Sequence, residues 1–182
     1  MQPLAFVDIE VTGFIPSKAR ILEIGIFLHD EDEVKEWTTL INPEILIPDE
    51  AIEVLGITQT MVENQPTFSD IIDELETILN GRLIVSHNAG FNQKFFIHEY
   101  NRNDRTFDHS YVCTQKLNTE LYEMNPTASL KKTMQQQSII VSDDFSTLSC
   151  AKMTYQLWNK IINDTSNEKF NQTITQLKNI PA

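Results

Sequence analysis

Phe6-Val7-Asp8-Ile9-Glu10-Val11-Thr12-Gly13 alternates apolar and acidic side chains through its centre. A strand turns successive residues to opposite faces, so Asp8 and Glu10 share one face while Val7, Ile9 and Val11 share the other. On a solvated face the two acids carry no message. On a covered face they need a divalent cation, protonation or strong hydrogen bonds, because burying uncompensated charge costs several kcal/mol or more. The cation is the simplest of these answers.

The flanking pattern predicts what covers that strand. Ile21 to Leu28 is almost wholly apolar and predicts a buried strand. Asp30 to Glu33 forms a charged turn, and Val34 to Ile41 returns as a third strand, giving an antiparallel meander. A short helix is expected from Glu50 to Leu55, closed by Gly56. Thr67 to Asp70 caps a helix running to about Leu79, and Arg82 to Ser86 makes a short buried strand. Asn88 is placed to cap the next helix, whose apolar stripe is Phe91, Phe95, Phe96 and Tyr100. A helix lying between buried strands suggests a parallel βαβ unit. Tyr111 to Cys113 follows as a strand, with helices expected over Thr114 to Tyr122, Ser129 to Gln137 and Ser146 to Ile162. The fold expected is therefore α/β, a mixed five-stranded sheet flanked by helices. Residues 1–162 form its domain, and residues 163–182 form a last docked helix or a partner-binding tail.

Composition narrows the function. The 182 residues are 41% hydrophobic and 22% charged, as in an ordinary globular protein, and no stretch has the continuous apolar length of a membrane span. Met1 to Ala5 lacks the basic start of a signal peptide, so a cytoplasmic location is expected. Cys113 and Cys150 form neither a zinc spacing nor a disulfide framework. The net charge is −12, and it is unevenly spread. Residues 1–80 carry 17 acids against three bases, while residues 81–182 carry nine acids against 11 bases. Phosphate backbones are bound chiefly by Lys and Arg, which excludes a generally basic nucleic-acid binder and leaves a local face drawn from Lys94, Arg102, Arg105, Lys116, Lys131 and Lys132. The acidic first half and the tail are the candidate surfaces for a protein partner.

The opening stretch, taken with Arg20-Ile21-Leu22-Glu23-Ile24-Gly25, Ile57-Thr58-Gln59-Thr60-Met61-Val62, Val85-Ser86-His87-Asn88-Ala89-Gly90-Phe91-Asn92, Cys113-Thr114 and Ser129-Leu130-Lys131, resembles the DEDD family of 3'-5' exonucleases. Proofreading epsilon-type subunits and ribonuclease T belong to that family, which has a ribonuclease H-like fold. The resemblance implies two Mg²⁺ or Mn²⁺ ions held by four carboxylates, a histidine general base, and hydrolysis of the terminal phosphodiester of a single strand from its 3' end. Hard cations take oxygen ligands, and two of them stabilise the attacking and leaving oxygens together. Asp8 and Glu10 match the first two carboxylates. Thr12, Gly13, His87, Asn88, Lys94 and Lys131 are the expected contacts to a single-stranded or 3'-terminal nucleic acid.

Three positions depart from the pattern. Asn92 stands where the resemblance implies aspartate, Phe145 where it implies histidine, and Cys150 where it implies the last carboxylate. Leu55 also replaces a histidine frequent in the family. An amide has no negative charge, phenylalanine takes no proton, and a thiol is a poor ligand for Mg²⁺. The expectation is a pseudo-exonuclease in which Asp8 and Glu10 hold at most one ion, weakly, and which serves as a nucleic-acid- or protein-binding subunit of a larger complex. The alternative is an active Mg²⁺- or Mn²⁺-dependent exonuclease that draws substitute carboxylates from Asp143 and Asp144 and a substitute base from His87 or His109.

Overall fold

Five strands in the order β3-β2-β1-β4-β5 form one mixed sheet in a computed structural model that describes residues 3–30 and 33–178. Strands β1 (Leu4–Val11), β2 (Ile21–Asp30) and β3 (Glu33–Leu40) are the antiparallel meander. The hairpin between the last two closes on the paired residues Asp30 and Glu33, which therefore belong to the strands rather than to the expected turn. Glu31 and Asp32 lie outside the described residues. Strands β4 (Leu83–Ser86) and β5 (Tyr111–Cys113) add in parallel beyond β1.

Helices cover both faces. Helix α1 (Asp49–Leu55) ends on Gly56, whose φ of 70° is the left-handed geometry that glycine adopts without strain. The single turn α2 (Gln59–Val62) follows. Helix α3 (Phe68–Leu79) opens on a capping box made by Thr67 and Asp70, and crosses from the meander to β4. Helix α4 (Ala89–Arg102) connects β4 to β5. Asn88 precedes it in a left-handed conformation and makes no side-chain cap, contrary to the expected capping role; asparagine tolerates that geometry better than most residues. Helices α5 (Thr114–Tyr122), α6 (Leu130–Gln136) and α7 (Thr147–Asp164) follow, the last two capped by Ser129 and Ser146. Helix α8 (Asn167–Leu177) sets Phe170 edge-on against Trp158 of α7, with centroids 5.2 Å apart.

The alternation of β1 divides the core between these layers. Ala5, Val7, Ile9 and Val11 pack with Phe68, Leu75 and Phe95 of α3 and α4. Phe6 turns the other way, onto Ala151, Leu157 and Trp158 of α7. Asp8 and Glu10 follow Phe6 along the face that α7 covers. Behind the turn after β1, Arg20 pairs with the fully buried Glu99 of α4 at 2.8 Å, tying that loop to the helix. Among the described residues, no helix is long and apolar enough to cross a membrane.

Candidate active site

Strand register brings the acids of the meander together. Asp8 lies opposite Gly25, and Glu10 lies opposite Glu23, just before an irregularity between Glu10 and Val11. Directly opposed residues on antiparallel strands are close neighbours, so Glu10 and Glu23 face one another as like charges. Helix α7 starts over this spot. A Cβ on Gly25 would lie 2.3 Å from both Leu148 N and Thr147 C, which shows that the helix meets β2 backbone to backbone. Thr147 N then donates to Glu23 Oε2 at 3.4 Å. One turn further on, Cys150 reaches Asp8.

Asp8 is held by three neutral donors. Its carboxylate lies within hydrogen-bonding reach of the Asn92 side chain, the Cys150 thiol and the Ile9 backbone N–H. Asn92, buried on α4, also donates from Nδ2 to Val7 O at 3.4 Å. Cys150 Sγ lies 3.6 Å from Phe145 O as well. An ionised aspartate at position 92 has no proton to offer either Val7 O or Asp8, so the amide is suited to this arrangement as it stands. Burial first, and then the charge of Asp8, push the Cys150 thiol far above its usual range. It therefore acts as a proton donor rather than a thiolate ligand.

Burial pushes Asp8 up to about 7 against the opposing effect of those hydrogen bonds. Burial, with the charges of Asp8 and Glu23, pushes Glu10 up to about 7. Both folded-state values lie above those of an unfolded chain. The stability they contribute is thus fully present at acid pH, below the unfolded values, and is lost as pH rises through about 7. Asp8→Asn is expected to stabilise the protein by about 1–2 kcal/mol near pH 8, less than the full shift implies because solvent reaches the site. Thermal melts should show a gain of about 3–6 °C there and a smaller one near pH 5. A larger gain at acid than at alkaline pH would mean that the acids are not strained by burial.

The remaining positions sort by their surroundings. Phe145 is exposed at the mouth, its ring 5.3 Å below Lys131 Nζ and beside Glu10, Glu23 and Leu55. Gly13 and Phe14 line the neighbouring cavity with Glu10. Thr12 is buried, its hydroxyl accepting from Arg20 N at 2.9 Å. His87 turns inward, with Nε2 donating to Ala128 O at 2.9 Å and Nδ1 bonded to the Thr114 hydroxyl at 3.0 Å. Burial lowers its pKa, and neither ring nitrogen is left for a substrate or a proton transfer. His109 is packed against Phe107 and Tyr100 and faces Glu76, in the layer of α3 and α4 rather than on the α7 face. Asp144 accepts from Ser146 N and Ser146 Oγ at 2.8 and 3.1 Å, so it braces the start of α7. Asp143, Asn88 and Lys94 are exposed. Glu23 is the acid that sequence reasoning passed over; its alternation with Gly25 and Phe27 was the available signal.

The donors do not suit a pair of hard cations. Asp8 and Glu10 offer carboxylate oxygen, but Cys150 brings a protonated sulfur and Asn92 turns its amide nitrogen inward. Among the described residues, no group of three or more His, Cys, Asp and Glu is arranged to hold a metal ion.

The exonuclease family model RNase_T matches residues 5–144. The chain belongs to this exonuclease family. It is 25% identical over 161 residues to the DNA polymerase III subunit epsilon of Aquifex aeolicus, covering 87% of this chain and 79% of that one. It is 28% identical over 151 residues to the PolC-type DNA polymerase III of Clostridium perfringens, covering 82% of this chain but only 10% of the polymerase. The chain likewise spans 41% of the epsilon subunit of Treponema pallidum, at 34% identity. Among solved structures, exonuclease X in complex with 5' overhanging duplex DNA superimposes with a TM-score of 0.70 at 21% identity, covering 89% of this chain and 92% of that one. Exonuclease I superimposes with a TM-score of 0.81 at 15% identity, covering 96% and 44%. Both confirm the mixed five-stranded fold of this exonuclease-family chain. Divalent metals are general in the family, and a zinc-bound exonuclease I is among its structural neighbours.

Proposed function

We propose that this member of the exonuclease family is a pseudo-exonuclease that acts by binding, as a subunit of a larger complex. The observation that carries the reading is the closure of Asp8 by the neutral donors Asn92 and Cys150. Where the family resemblance implies carboxylates around a metal pair, this site satisfies its central acid with protons of its own. A general base contributes about 10²–10⁴-fold, and Phe145 cannot supply one. Asp8 and Glu10 retain capacity for one weakly held Mg²⁺ or Mn²⁺ ion. A 3'-terminal nucleic acid and a protein met by the acidic first half or the tail are the two partner classes; among the structural neighbours, exonuclease X is seen with 5' overhanging duplex DNA and exonuclease I with a dA16 oligonucleotide. The free cysteines Cys113 and Cys150 suit the reducing cytoplasm, where we place it.

The second reading, an active Mg²⁺- or Mn²⁺-dependent exonuclease with substitute ligands, draws on Glu23 as a third carboxylate beside Glu10. Hydrolysis of single-stranded and 3'-recessed DNA and RNA with Mg²⁺ or Mn²⁺ separates the two. The chain and its Asp8→Ala variant are expected to show the same background, and millimolar Mg²⁺ to raise Tm by no more than about 1 °C. Cleavage that disappears with Asp8 would establish the active enzyme instead.

A further inference from the structure

Two cavities of about 620 and 530 Å³ open on either side of Val54 and Leu55, and both are lined by Glu10. Together they form a groove along α1, a helix with no buried residue. Its apolar surface is unusually bare: Phe14 is 87% exposed and Val54 80%. Met61 and Phe145 extend the surface on the side of the second cavity. Contiguous exposed apolar surface of this kind marks an interaction site.

The charge around it selects the occupant. Glu10, Glu23 and Glu50 line the two cavities, no Lys or Arg among the described residues does, and Asp49 and Glu53 stand exposed on the same helix. Lys131, over the Phe145 ring, borders the groove at one end. A phosphodiester strand laid here would meet three carboxylates, with no lining Lys or Arg among the described residues to offset them. We propose that the groove receives a cationic segment of a partner protein, in which a large apolar side chain enters beside Val54 while flanking Lys or Arg residues meet Glu10, Glu23 and Glu50. This deepens the non-hydrolytic reading above and rests on it. Apolar anchors seated in a cavity of this size, ringed by charge, are a common source of both affinity and specificity.

The test is selection of a displayed random dodecapeptide library on the whole chain, followed by titration of the enriched peptides and of fluorescein-labelled dT12. Enriched peptides are expected to carry net positive charge with at least one large apolar residue, to bind less tightly as salt rises, and to lose about tenfold in affinity to Phe14→Ser or Val54→Glu. Both side chains are exposed, so the variants should keep the parent melting temperature. Acidic or neutral consensus peptides, no enrichment over blank wells, or affinity indifferent to both variants would overturn the proposal. Binding of dT12 that falls with Val54→Glu would overturn it in favour of nucleic acid. Asp8-dependent hydrolysis would instead defeat the pseudo-exonuclease reading, whatever the peptides do.

Discussion

The triple variant Asn92→Asp, Phe145→His, Cys150→Asp is expected to cleave single-stranded DNA from the 3' end with Mn²⁺, by at least about 10²-fold over the parent chain. The scaffold for this is in place. Register sets Asp8 and Glu10 on the covered face of β1, α4 delivers position 92 to Asp8, and the start of α7 delivers position 150. Position 145 sits at the mouth beside Glu10 and Glu23. Two ions need all four carboxylates and the base together, so each single replacement should give far less than its share. With Glu23, the variant also gathers five acids without counter-charge. Its Tm should fall in EDTA and recover with Mn²⁺, a dependence expected to be far larger than any in the parent chain. Restored metal-dependent stability without cleavage would show that the ions bind and that the groove no longer positions a strand.

Gly25→Ala should be the most destabilising single change at the site, by about 2–3 kcal/mol or roughly 5–10 °C in Tm. The added Cβ would meet the backbone at Thr147 and Leu148, not the end of a flexible side chain. The start of α7 must then lift from β2, and Cys150 with it. The thiol should consequently leave Asp8 and react faster with a disulfide probe than in the parent at the same pH. Unchanged stability and thiol reactivity would mean that α7 tolerates a wider seat on the sheet than its contact with Gly25 implies.

Much of this was legible in the sequence. The apolar runs and their turns gave the meander and the βα units, because strands buried on one or both faces leave strong periodic signals. The motif order placed Asp8, Asn92 and Cys150 in one site, and the structure gathers them. Glu23 was only weakly legible as part of it: its alternation with Gly25 and Phe27 sets a face, but that face is not tied to the site until the pairing with Glu10 is known. Gly25 was an available sign of close backbone approach, but it names no partner. The isolated roles of Asn88 and Asp144 are local geometry: a left-handed residue and a helix brace, both within a few residues of the functions expected of them.

The contact of α7 with Gly25 also sets an order of events during synthesis. The strands bearing Asp8, Glu10 and Glu23 leave the ribosome before the helix that covers them, which begins at Thr147. Until that helix docks, this face of the meander is open to water and its acids ionise at no cost. Docking is the step that dries them, so proton uptake by the chain accompanies the seating of α7 on the sheet. A nascent chain halted before α7 therefore carries more negative charge than one in which α7 has docked, and the acid pair acquires its unusual chemistry only when the helix that begins at Thr147 closes over it.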